Sequence, residues 1–425
     1  MADKNKQSLW NRQTMKILLV SELIPYPVLG GLARHCITLG NYLQREGHEV
    51  SIMGNCEFAD AEHIGNLGFA GQLILGFKLN RTLSRRIEKY IGVYPYPLYK
   101  RFAKQIAKAI NKIAEKFDVV HYHGHYPMVS SFINKDINFI QTRHDHGTFC
   151  LNKLFFKEST LSECIDPSAD NCAVCFKPNN DSLRRHINYL GCLEWRADTV
   201  KALSTHKTIF VSERAFDIAS SVLGLNRHSG ISVIHNFIDT KDIISKINKS
   251  KDFKFNPAGV LLASTLNPAK GVSSFLKAYR DAGCNFPVTV AGSGSELASM
   301  KTEFKDYPIT FCGWLEHEGV LTLMAQNGVF VVSSLLQETG PITALEAIFL
   351  GNKVYALKRG GILELMSYAR NPNQVELYNN MSELVSGVAS AINKTTESGS
   401  LDTFGRDFGA CIKEKILEIM KCYKK

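Results

Sequence analysis

Glu338 and Glu346 stand eight positions apart in QETGPITALEAIFLGN. Thr339-Gly340-Pro341 between them is a poor helix interior, whereas the chain from Ile342 onward reads as a helix closed by Gly351. One carboxylate therefore precedes the helix and the other sits in its second turn. The unpaired N–H groups of the first turn, around Gly340 and Ile342, favour an anionic phosphate. A carboxylate before the helix can accept hydrogen bonds from sugar hydroxyls, and one a turn deeper can accept two from a ribose diol. The spacing thus suits a grip on both ends of a sugar nucleotide around its phosphates. Spacing alone fits a capping glutamate followed by a surface glutamate equally well.

Other residues invite chemical readings of their own. Gly30-Gly31 falls between a strand and a helix, where backbone without Cβ atoms can approach a phosphate or sugar closely, although ordinary turns also use glycine. His144 and His146 in RHDHG suggest a metal, but residues so placed at a strand end need not converge. His121 and His123 in HYHG share one strand face, with a packing role as open as a functional one. Cys150, Cys164, Cys172 and Cys175 lie within 26 residues, and Cys172 and Cys175 form a C-x2-C. Such a set is compatible with a tetrahedral structural zinc, or with unligated or redox-active thiols.

These residues need elements to hold them. KILLVS at 16 to 21, EVSIMGN, FDVVHYHG, INFIQTR, TIFVS and ISVIHN read as strands with helical segments between them. The pattern restarts with GVLLAST at 259 to 265, then PVTVAGSG, ITFCGW, GVFVVSS and KVYALK. Short β-branched strands alternating with helices predict α/β architecture with two doubly wound parallel sheets. The expected domains are 15–236 and 258–404, joined by a polar, Lys-rich linker at 237–257. Ligands in such folds bind at the carboxyl ends of the strands, here a cleft where the sheets face each other.

Composition bounds the partners. Fifty Lys and Arg against 40 Asp and Glu give a net charge of +10, which suits phosphate esters or an anionic membrane. Between Lys78 and Lys116 the excess is concentrated, with eleven basic residues against two acidic ones. Within KRFAKQIAKAINKIAEKF, Phe102, Ile106, Ile110 and Ile113 share one helix face with Lys100, Arg101, Lys104 and Lys108 around it. That segment is either a peripheral membrane anchor or a core helix with a solvated basic side. No nucleic-acid-binding module accompanies the charge. No apolar run approaches the ~18 to 20 residues that span a bilayer. Eleven cysteines without an export signal lead us to expect a reducing, cytoplasmic setting, at the inner face of the membrane if the basic stretch docks there.

In order along 15 to 395, SELIPYPVLGGLARHCITLGNYLQREGHEV, FDVVHYHG, VIHNFID, LNPAKGV, PVTVAGSGSE, ITFCGWL and VVSSLLQETGPITALEAIFLGNKV resemble the retaining glycosyltransferases of family 4. The resemblance implies the GT-B fold of two Rossmann-like domains, the first binding acceptor and the second nucleotide sugar. It also implies a helix-like segment at 405–425 that crosses back onto the first domain. The family's Glu-x7-Glu resembles Glu338 to Glu346, with Glu338 at the donor sugar and Glu346 at the ribose. Lys270 would neutralise the leaving diphosphate, and His144 would lie beside the reacting carbon. Gly30, Gly31, Gly292, Thr339, Gly340, Pro341 and Ile342 would line the donor. The chain departs from the pattern at Thr265, where the family has an arginine; its hydroxyl would still hydrogen-bond the donor phosphate but supply no charge. Lys358 and Arg359 are the candidates to supply the missing charge. The resemblance implies a hexosyl transfer by a front-face mechanism with no catalytic metal or cofactor. The acceptor would be a glycan or lipid-linked saccharide of cell-surface polysaccharide or lipopolysaccharide synthesis. A soluble small-molecule acceptor, an inactive sugar-nucleotide-binding partner of another transferase and a nucleotide-sugar epimerase are the alternatives.

Overall fold

The computed structural model describes residues 14–26, 29–176, 181–247, 254–394 and 412–424. The first sheet contains β1 (Lys16–Ser21), β2 (Glu49–Asn55), β3 (Gln72–Phe77), β4 (Val119–His123), β5 (Phe139–Arg143), β8 (Lys207–Phe210) and β9 (Ile231–Val233). Their order is β3-β2-β1-β4-β5-β8-β9, and every pairing is parallel. Between β5 and β8, β6 (Phe156–Lys157) and β7 (Ser162–Glu163) form a small antiparallel pair.

The second sheet runs β12-β11-β10-β13-β14-β15, again with parallel pairings. Its members are β10 (Asn256–Ala263), β11 (Val288–Ala291), β12 (Ile309–Gly313), β13 (Asn327–Val332), β14 (Lys353–Leu357) and β15 (Val375–Tyr378). The central strand β1 is buried after its first residue and β10 over Gly259–Leu262, as apolar runs in parallel sheets should be. Edge strands β3 and β15 escape sequence reading. The first is half exposed and the second only four residues long.

The expected linker at 237–257 is not simply a linker. Thr240–Ile247 is a helix whose Ile243 and Ile247 join the core of the second sheet. Two isoleucines four apart are a helical signal that the surrounding lysines conceal. The chain changes domain between adjacent residues, since Phe237 packs in the first core and Ile238 in the second. Helix Ile412–Tyr423 lays Ile412, Ile416, Ile419, Met420 and Tyr423 on the first core. Tyr423 Oη is 2.9 Å from His121 Nδ1 in that packing.

Helix Tyr96–Ile113 resolves the two readings of its apolar face. Phe102, Ile106 and Ile110 are buried in the first core, with Ile113 packed against it, so that face is not available to a membrane. Arg101, Lys104 and Lys108 are exposed on the opposite side, and Lys100 pairs with Asp198 at 2.7 Å. Among the described residues no helix is long and apolar enough to cross a bilayer.

Candidate active site

Parallel winding puts the C-terminal ends of β1, β5, β10 and β13 at one cleft, and the loops after them carry the chemistry. Gly30 caps helix Gly31–Arg45. Pro341 precedes helix Ile342–Phe349 from the other domain. A Cβ built on Gly31 would stand 3.8 Å from Ile342 Cδ1, so the two helix N-termini meet across the cleft. Neither end has a side-chain cap, which leaves N–H groups from both helices directed at the same space.

Neither glutamate fits the cap-and-surface reading. Glu346 is 4% exposed on the second turn of its helix, and its Oε1 is 2.7 Å from His317 Nε2. Glu338 lies in the loop before that helix, with Oε1 2.7 Å from Lys270 Nζ. Burial alone would raise the Glu338 carboxyl, but the Lys270 charge and hydrogen bonds from Lys270 and Ser334 hold it below the ordinary range. The carboxylate is therefore ionised at neutral pH.

The two carboxylates open onto different cavities. Lys270, Ser334, Glu338, Pro341 and Thr343 surround about 40 Å³ in the second domain. Glu346, His317, Trp314, Arg34 and Arg45 line about 590 Å³ between the domains, a volume suited to a nucleoside. Arg34 lies there under the charges of Glu346 and Glu316, with burial lowering its pKa more than they raise it.

His144 stands just beyond β5, its Nε2 3.0 Å from His123 Nδ1. His35 from the first helix packs edge-on against His144, with ring centroids 4.7 Å apart. Burial and neighbouring imidazoles lower the pKa values of His123 and His144 well below the usual histidine value, so both rings are neutral. His144 and His146 do not converge on a metal. The nitrogens of His35, His123 and His144 do lie within 4.8 Å of one another, a donor set that the sequence did not disclose. The His123–His144 hydrogen bond already engages two of them. His146 turns instead to the second domain, with Nε2 2.6 Å from the Gln337 carbonyl.

The loop before helix Ile342–Phe349 is stitched to the first domain. Thr339 Oγ1 donates to the His144 carbonyl at 2.7 Å, and Asn236 Nδ2 donates to the Gly340 carbonyl at 2.6 Å. Gly340 has φ of 155°, a conformation open to glycine but strained for other residues. At Gly292 a Cβ would collide with the Ser264 carbonyl, so this glycine serves close approach of two strand-end loops. Thr265 is exposed beside that loop and supplies no charge. Of the two candidates to replace the family arginine, Lys358 is exposed, whereas Arg359 is bound to Glu163. Glu163 sits on β7 in the cysteine-bearing insertion and also takes the Gln337 amide.

Sequence reading missed Arg34, Glu163, Asn236, Trp314 and His317. Arg34 had a faint signal, a base one turn into the helix after Gly30-Gly31. The others are far in sequence from every residue they touch here, so no local spacing could mark them.

Comparison with known proteins decides the family. Residues 29–242 match the model of Glycosyltransferase Family 4, and residues 244–406 match that of Glycosyl transferases group 1. The chain belongs to glycosyltransferase family 4. This glycosyltransferase is 22% identical over 396 residues to an uncharacterized glycosyltransferase of Methanocaldococcus jannaschii, covering 85% of this chain and 87% of that one. Its fold is similar to Anabaena HepE in complex with UDP and glucose, at TM-score 0.59 and 17% identity, covering 96% of this chain and 98% of that one. It is also similar to sucrose-phosphate synthase from Thermosynechococcus elongatus, at TM-score 0.63 and 15% identity, with coverage of 96% and 98%. The transferase therefore has the GT-B fold, two Rossmann-like parallel-sheet domains facing a cleft.

Proposed function

We propose that this enzyme transfers a sugar from a nucleotide-sugar donor, with retention at the anomeric carbon, to a glycan or lipid-linked saccharide in cell-surface polysaccharide synthesis. The observation that carries this reading is the ion pair of Lys270 with the largely enclosed Glu338, set beside two facing helix N-termini. Here the Lys270 ammonium and the helix N–H groups hold the diphosphate and stabilise the charge it gains on departure. Glu338 faces the sugar ring, where positive charge develops. Glu346 receives the ribose hydroxyls in the larger cavity, and neutral His144 hydrogen-bonds the donor sugar. The acceptor hydroxyl attacks from the side the diphosphate leaves and gives its proton to the departing phosphate oxygen. Asp145, the carboxylate next to His144, does not act as a nucleophile in this reading. It is occupied by His125 and by the Gly147 N–H at 2.8 Å.

Lys270 and the helix termini provide the phosphate's counter-charge, so transfer needs no added divalent cation. Anabaena HepE was crystallised with UDP-glucose, which makes UDP-hexoses the first donors to try. Incubation of donor with acceptor extracts, followed by NMR of the new anomeric centre, tests the reading. Retention, without dependence on added magnesium or manganese, is expected. An inverted linkage would overturn the mechanism. Binding of donors without transfer to any acceptor would favour a sugar-nucleotide-binding partner, the reading that Thr265 and the engaged Arg359 support.

A second element of the proposal is peripheral docking on anionic lipid. Leu183, Ile187, Leu190 and Leu193 are exposed along helix Ser182–Leu203, beside Arg184 and Arg185. The Lys100–Asp198 pair ties this helix to the basic helix Tyr96–Ile113. Apolar side chains flanked by basic ones suit the boundary between headgroups and acyl chains.

A further inference from the structure

The segment 150–175 between β5 and β8 has little regular structure, although Leu151, Phe155, Phe156 and Ala173 are buried. Its regular structure is the two-residue pair β6 and β7 and the short helix Ala169–Ala173, while Leu161 and Ile165 are 57% and 87% exposed. Nevertheless it presents Glu163 to Gln337 and Arg359 of the other domain. A crosslink within the segment would add to this apolar packing in fixing it.

Cys150, Cys164, Cys172 and Cys175 all line one cavity in this insertion, with Lys157, Asn152 and Arg196 beside them. The cavity is about 20 Å³, room for one water-sized sphere and far too small for a cluster of several metal and sulfide atoms. None of the four is in a disulfide.

Hydrogen-bond donors aimed at the sulfurs form an independent observation. Asn152 Nδ2 is 3.4 Å from Cys175 Sγ, and Arg196 Nη2 is 3.5 Å from Cys172 Sγ. Donors on this scale suit sulfur bearing negative charge, as around metal thiolates. The thiols themselves make contacts that they can give up. Cys150 Sγ is 2.9 Å from Asn152 Oδ1, while Cys164, Cys172 and Cys175 lie 3.6, 3.8 and 3.7 Å from the carbonyls of Asp166, Pro167 and Phe156.

We propose that Cys150, Cys164, Cys172 and Cys175 bind one zinc ion as four thiolates, and that this ion fixes the insertion that presents Glu163 to the second domain. Binding exchanges four S–H protons, released to solvent, for four Zn–S bonds of about 2.3 Å, and requires the four side chains to draw together, since no three of their sulfurs lie within 4.8 Å of one another in this structure. The resulting tetrathiolate carries a net charge of −2, offset by Arg196 and Lys157 at its border. The site is structural and stands apart from the transfer chemistry.

Elemental analysis of full-length protein purified without chelator should give one zinc per chain. The pair Cys172→Ser and Cys175→Ser should abolish it, while Cys284→Ser with Cys312→Ser should keep it. Should the first pair fail to fold, the parent still decides. A mercurial thiol reagent should release its zinc to a chromophoric chelator, and cobalt exchanged into it should show the intense visible bands of a tetrahedral thiolate site. Protein without zinc, iron with acid-labile sulfide, or cysteines recovered as disulfides would each overturn the proposal. Zinc retained by a folded Cys172→Ser, Cys175→Ser protein would do so too, and would move the ion to the His35, His123 and His144 group.

Discussion

Lys270 Nζ lies 2.7 Å from Glu338 Oε1, across 68 residues of sequence and within a small cavity beside the N-terminus of helix Ile342–Phe349. Both charges are largely withdrawn from solvent, so removing one strands the other. A donor diphosphate entering beside Lys270 would compete with Glu338 for the ammonium and free the carboxylate to meet the sugar. On the proposed function, the pair would couple donor binding to exposure of Glu338 at the sugar.

Substitutions should separate the two glutamates. Glu346→Gln removes a charge that ribose hydroxyls favour, and a charge-assisted hydrogen bond contributes ~1.5 to 3 kcal/mol. Affinity for the free nucleoside diphosphate, by calorimetry, should fall roughly ten- to a hundredfold. Glu338→Gln should instead lower turnover at saturating donor by on the order of a hundredfold, with a smaller effect on nucleotide affinity. Parent-like binding and turnover in both variants would remove the site from this role.

Arg359 is the base that can change partner. Glu163 pairs with it in this structure, and a donor diphosphate would compete for it. Arg359→Ala should then lower kcat by about tenfold or more, on the scale of losing one charged contact to the leaving group, while Lys358→Ala leaves it near the parent value. Equal effects of the two changes in single-turnover assays would show that Arg359 serves only the contact with the insertion.

Acid should destabilise the protein earlier than its carboxylates alone require. Burial pushes His35 and His121 down to about 3. An unfolded histidine takes up its proton near pH 6.5. Between those values the unfolded chain binds more protons, so stability falls as pH drops below about 6.5, by ~1 kcal/mol per unit for each such histidine. Glu338 acts lower, because its depressed pKa keeps its contribution until pH falls through the folded-state value. Calorimetric Tm should be flat from pH 8 to 7 and fall below 6.5, with a shallower fall in His121→Gln. A Tm unchanged down to pH 5 would contradict this account.

The proposed membrane docking needs both charge and apolar surface. Changing Lys100, Arg101, Lys104 and Lys108 to Ser should weaken sedimentation with anionic liposomes in a salt-sensitive way. Leu183→Ser with Ile187→Ser and Leu190→Ser should weaken it at all salt concentrations. Circular dichroism should change little, because most of these residues are exposed. Binding unaffected by either set would leave these faces as ordinary solvated surface.

Much of this protein is legible in its sequence because the signals are local. Strand and helix periods, Gly30-Gly31 at a turn and the Glu338–Glu346 spacing depend on neighbours a few residues away. They were enough to indicate two parallel sheets. Tertiary structure decided what those residues touch. Lys270 meets Glu338, His317 meets Glu346 and Glu163 meets Arg359 because loops from separate strand ends converge on one cleft. It also assigned the apolar face of helix Tyr96–Ile113 to the core, which amphipathicity alone leaves open because a core and a membrane reward the same pattern. The polar partners remained hidden for a physical reason. Ion pairs and hydrogen bonds act over a few ångströms in space, whatever the distance along the chain.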